Sequence, residues 1–161
     1  MNPTLSAPIT DAAFALCLAL LLLAPLAIAG VALINTGLGR CRSAAQALLG
    51  NLTLTAVTAI VFALVGATFI GGAGHVVLLA GKPWNWLGTG SYLLGGLSAA
   101  PAHAQLALLF EFLAVALAAL IPWGSGADRL RLTAGCVIAA VMAAIVFPLV
   151  AHWVWGGGWL A

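Results

Sequence analysis

Four long apolar runs carry a single formal charge between them, and this leaves a chain of 161 residues few ways to fold. The runs are Ala12 to Ile34, Ala47 to Ile70, Gln105 to Trp123 and Leu132 to Trp155. Each is close to the roughly 20 residues a helix needs to cross about 30 Å of hydrocarbon. Charged residues make up only 5% of the sequence, against about a quarter in soluble domains. The chain therefore reads as an all-α integral membrane protein, a single domain with four transmembrane helices set in the lipid bilayer. A signal peptide is the competing reading of the first run, because LAIAG offers a small-residue cleavage site. Signal peptides begin with basic residues, however, and Met1 to Asp11 contains only an acid. Pro25 lies inside this run, where it can kink the helix and free a carbonyl.

The few charges set the orientation. Arg40 and Arg42 follow the first span and Arg129 and Arg131 the third, together four of the five cations. Cationic loops stay in the cytoplasm, so both termini are expected outside, in a multi-pass protein of the cell (inner or plasma) membrane. The loop from Gly71 to Ala104, with Lys82, is expected there too. Within it VVLLA is too short to cross and SYLLGGL is broken by glycines, so short surface helices are expected. A net charge of +2, without a basic cluster, gives no reason to expect a nucleic-acid partner.

Polar residues inside the spans are the remaining source of chemistry. Asn51, Thr55 and Thr58 recur at helical spacing and Gly135, Ala139 and Ala143 form a small-residue stripe; both patterns suit contact with neighbouring helices. Glu111 is the one acid inside a span, and an ionisable group there normally faces protein or a water-filled cavity. It stands about two turns from its helix end, so contact with interfacial water is the competing reading. His75 and His103 fall in the outer loop. His152 can line an outer vestibule or bond a neighbouring backbone. Trp153, Trp155 and Trp159 precede or flank the glycines Gly156 to Gly158, where an interfacial ring either anchors the helix or offers its face to a small cation. Cys17, Cys41 and Cys136 are widely spaced and show no metal-ligand pattern, so neither a disulfide nor a metal is expected. With no phosphate loop, paired carboxylates or nucleophile-base pair, neither an enzyme nor a cofactor is expected.

The segment from Ala151 to Gly158, AHWVWGGG, resembles the signature that closes the fourth transmembrane helix of the ammonium transporter and Rhesus family. GSGADRLRL (Gly124 to Leu132) is similar to that family's segment after its third helix, with Asp128 in place of Glu. ALINTGLGRCRSA (Ala32 to Ala44) resembles its first cytoplasmic motif more loosely. The resemblance implies part of the first of two inverted five-helix repeats of a channel-like transporter, commonly a trimer. It further implies an outer aromatic cage for ammonium, with Trp155 as its tryptophan and Phe110 as one of its phenylalanines.

The departures from the family pattern are specific. At FEFLA, Glu111 stands where the family often has Gln, and Ala114 where it has a second, gating Phe. Phe112 lies about 200° around the helix from Phe110 and does not replace it. Glu111, Ala114 and His152 are accordingly read as pore or vestibule positions. The chain stops where the family's fifth helix begins, so a shortened or split transporter is the expectation. The function implied is transmembrane transport of ammonium or ammonia, incomplete on this chain alone. Conduction would then call for a homo-oligomer or a second chain supplying further helices. The alternative is a non-conducting module that associates with full-length transporters.

Overall fold

The computed structural model describes residues 10–38, 44–71, 76–79, 82–126, 129–158 and 160. Four helices are long and apolar enough to cross a membrane: α1 (Asp11–Leu38), α2 (Ala44–Ile70), α3 (Ala102–Gly126) and α4 (Leu132–Val154). Away from water every backbone group needs an internal partner, which a helix supplies within itself, and the Ala- and Leu-rich runs favour that choice locally. α1 continues past the apolar run, and the Thr36 hydroxyl donates back to the Ala32 carbonyl at 2.7 Å. Pro25 is accommodated within the same helix, on an exposed face. The positions Arg40, Cys41, Arg42, His75, Asp128 and Trp159 lie outside the described residues.

α2 packs against each of the other three helices. One cluster of buried residues joins Ala47 and Leu54 of α2 to Ala119, Leu120 and Trp123 of α3 and Ala139 of α4. Its centre is Trp123, fully buried between Gly50 and Gly135, where an added Cβ on either glycine would run into the indole. A second cluster, nearer the other end, gathers Phe62, Ile70, Val115, Ala143 and Ala151. The small-residue stripe of α4 is thus inside the bundle, with Gly135, Ala139 and Ala143 all buried.

The stripe on α2 also faces protein. Asn51 accepts from the Asn35 Nδ2 at 3.3 Å and donates to the Ala32 carbonyl at 3.2 Å. The Asn35 Nδ2 also donates to the Leu120 carbonyl at 3.3 Å, so three helices share one amide network. α1 packs along α3, with Ile28 and Val31 against the first cluster, yet Leu21 is its one buried residue, while Leu16, Leu22, Leu26 and Leu33 are 61%, 72%, 66% and 68% exposed. Such a surface suits lipid or another helix rather than water.

α2 and α4 each contain one π-helical turn, at Phe62–Gly66 and Met142–Val146. The two turns meet, because a Cβ on Gly66 would collide with the Ala143 carbonyl. In α4 the widened turn lies just ahead of the buried Pro148, whose missing N–H cannot bond the preceding turn.

Between α2 and α3 the expected first surface helix is replaced by a hairpin. Strands β1 (Val76–Leu79) and β2 (Lys82–Asn85) pair antiparallel, with Val76 opposite Asn85 and Leu79 opposite Lys82. A four-residue segment starting with two β-branched valines satisfies its backbone better by pairing than by a single helical turn. Short 3-10 turns follow at Tyr92–Leu94 and Leu97–Ala99. The loop then folds back on α2: the Gly88 N–H donates to the Phe69 carbonyl at 3.2 Å and the Gly90 N–H to the Thr68 carbonyl at 2.8 Å. A Cβ on Gly88 would be 2.6 Å from that Phe69 oxygen, so this close approach requires glycine.

Candidate functional site

The last turns of α4 build the site. Phe147, Ala151 and Trp155 fall at one-turn steps along one side of the helix, and the small, buried Ala151 lies between the two rings. Trp155 closes the helix: its N–H and that of Gly156 both reach the Ala151 carbonyl, each at 3.0 Å. Gly157 then adopts φ +85°, a left-handed turn that only glycine enters at no cost. Gly156 serves a different purpose, since a Cβ there would strike the Ile70 carbonyl at the end of α2.

His152 makes the same approach from its side chain. It is fully buried, with Nδ1 2.9 Å from the Ile70 carbonyl. A carbonyl only accepts, so Nδ1 carries the proton and the Nε2 lone pair is left without a partner among the described residues. The structure thus places His152 as a tie between α4 and α2 rather than on an open vestibule wall. Trp153 is half-buried and holds the loop. Its indole N–H donates to the Trp86 carbonyl at 2.9 Å, and its ring meets Trp86 edge-on. Asn85 adds a bond from Nδ2 to the Gly157 carbonyl at 3.3 Å.

Trp155 is 52% exposed and braced on two sides. The Phe147 ring meets it edge-on with centroids 6.4 Å apart, and its Nε1 donates to the Glu111 Oε1 at 3.3 Å. Glu111 comes from α3 and is 8% exposed, with no cationic partner among the described residues. Its Oε2 has no hydrogen-bond partner among them either. An indole face beside a carboxylate can receive a small cation, the ring supplying cation-π attraction and the oxygen a hydrogen-bond acceptor.

The structure therefore brings Trp155 and Glu111 together. It does not bring Phe110 into ring contact with Trp155 among the described residues. Phe110 is 57% exposed and lines a groove with Cys17, Leu21, Ala24 and His103, on the side of α3 toward α1. Ala114 is half-buried and adds no ring. Phe112 points elsewhere, edge-on to Phe62 at 6.4 Å. Sequence reasoning missed Phe147, whose two-turn spacing from Trp155 was the available signal.

Four membrane-length helices tied to a short hairpin, with a half-exposed tryptophan against a buried carboxylate, define a polytopic helical membrane protein with a polar site at one helix end. More particularly, the chain belongs to the Ammonium Transporter Family, whose family profile matches residues 13–161. It is 33% identical over 134 residues to the ammonium transporter Amt2 of Archaeoglobus fulgidus, covering 83% of this chain and 26% of that protein. It is 29% identical to an ammonium transporter of Bacillus subtilis, covering 81% of this chain and 32% of the relative. For an ammonium transporter of Aquifex aeolicus the identity is also 29%, covering 82% of this chain and 31% of the relative. The chain thus spans between a quarter and a third of the length of these curated relatives. No solved structure matches it at a significant level.

Proposed function

We propose that this chain takes part in moving ammonium or ammonia across a cell membrane, as part of a channel-like transporter, with Trp155 at the mouth that receives the ion. One observation carries the reading: Trp155 is 52% exposed while its ring packs against Phe147 and its N–H is held by Glu111. A ring held in this way attracts a small cation without a fixed charge in direct contact at its face. Family membership and the relatives' names as ammonium transporters support the choice of cation.

In this reading the hairpin end faces outward and the exposed Arg129 and Arg131 face the cytoplasm. The cage partner of Trp155 on this chain is Phe147, while Phe110 lies in the groove between α3 and α1. A complete pathway uses helices beyond these four, because the relatives are three to four times as long as the stretch matched here. The exposed leucines of α1 suit packing against such helices, in a homo-oligomer or on a second chain. The test is uptake of labelled methylammonium by cells lacking other ammonium transporters, comparing wild type with Trp155→Leu. Uptake that needs this chain and falls with the substitution is expected; equal uptake by both removes Trp155 from the pathway. Absence of uptake with the chain alone favours the non-conducting module.

A further inference from the structure

We infer that Glu111 is a specificity-determining ligand of the mouth: its free Oε2 accepts an N–H from a bound ammonium-type cation while the Trp155 face meets the charge. The inference rests on the reading of Trp155 as the receiving ring and adds to it a second contact of different chemistry.

Three observations converge on this residue. Glu111 is the only glutamate in the chain, and it lies inside a membrane-length helix, where an ionisable side chain needs a use or a partner. Its one hydrogen bond, from the Trp155 Nε1 to Oε1, occupies a single oxygen and sets the carboxyl group against the indole edge. That bond leaves Oε2 with unused acceptor capacity, in a residue that keeps 8% exposure and is tied to the indole edge; in this inference the oxygen is within reach of an ion on the ring. Purely structural use would need no charge, because a glutamine carbonyl could accept the same indole N–H. A carboxylate differs in two ways: its second oxygen is an acceptor rather than an amide donor, and it adds attraction for any cation over the ring. The pairing also discriminates by chemistry. An ion with N–H groups can satisfy Oε2 directionally while its charge sits over the aromatic face, whereas an alkali-metal ion has no hydrogen to donate.

The experiment uses the purified full chain in lipid nanodiscs. Ammonium chloride is titrated against potassium chloride at constant ionic strength, with the tryptophan fluorescence difference between wild type and Trp155→Phe as the readout. Wild type is expected to give a saturable response to ammonium that Trp155→Phe lacks. In Glu111→Gln the response is expected to persist with a half-saturating concentration raised about tenfold and with the preference over potassium reduced. Equal ammonium affinity in wild type and Glu111→Gln overturns the inference while leaving Trp155 as the receiving ring. Equal responses to ammonium and potassium in wild type overturn it as well. A wild-type chain without a saturable response overturns the receiving-ring reading itself. Should Glu111→Gln fail to fold, infrared difference spectra of wild type labelled with ¹³C-glutamate carry the test. The single labelled side-chain carboxylate band must move on adding ammonium and stay still on adding potassium, and an unmoved band overturns the inference.

Discussion

The indole N–H of Trp155 donates to Glu111 Oε1 at 3.3 Å, joining the last turn of α4 to the first half of α3. Two substitutions separate what this contact does. Trp155→Leu removes both ring and donor, and methylammonium uptake is expected to fall about tenfold or more. Trp155→Phe keeps a weaker ring and loses the donor, with about a threefold loss. Uptake curves of the two variants beside wild type check the order.

His152 predicts a stability effect with a chemical rescue. His152→Ala leaves the Ile70 carbonyl without its donor and opens a cavity at a fully buried position. A loss of about 2–4 kcal/mol is expected. In His152→Asn the side-chain amide can again donate to that carbonyl, and about half of the loss should return. Reversible unfolding in mixed detergent micelles measures both.

The meeting of the two π-helical turns predicts opposite outcomes for one type of substitution. A Cβ at Gly66 runs into the Ala143 carbonyl, which is backbone and cannot swing away, so Gly66→Ala should cost about 1–3 kcal/mol. At Gly30 nothing lies within 4 Å, and Gly30→Ala should be neutral or slightly stabilising. The same unfolding assay compares them.

Asn35 of α1 and Asn51 of α2 share one side-chain bond at 3.3 Å, beside the bonds each makes to a backbone carbonyl. A double-mutant cycle with Asn35→Ala and Asn51→Ala should give a coupling of about 0.5–1 kcal/mol, the usual range for polar contacts within membranes. A coupling near zero would assign the stabilisation to the bonds each residue makes with backbone carbonyls.

The spans were legible because hydrocarbon thickness imposes a length on any crossing helix, whatever its neighbours. The buried faces of α2 and α4 were legible for a related reason. Small and polar residues such as Asn51, Thr58, Gly135 and Ala139 are poorly used against lipid, so their helical spacing marks the side that meets protein. The hairpin was not legible, because four apolar residues at Val76–Leu79 fit a strand or a helical turn equally until Lys82–Asn85 arrives as their partner. At the site, Trp155 and Glu111 stood out by residue type alone. Their contact did not, because it joins residues 44 positions apart on separate helices. The placing of Phe110 toward α1 instead of Trp155 follows from helix rotation, which is fixed by packing.

The widened turn at Met142–Val146 has a consequence for that rotation. A π-helical turn inserts the equivalent of one residue into the helical phase, so everything after it is offset by about 100° from a wheel drawn through Leu132–Val141. Restoring regular winding through Met142–Val146 with every residue kept would turn the Trp155 ring away from Glu111 without touching either side chain. The aim of the indole is thus encoded more than two turns upstream, in a stretch that contains neither an aromatic nor a charged residue.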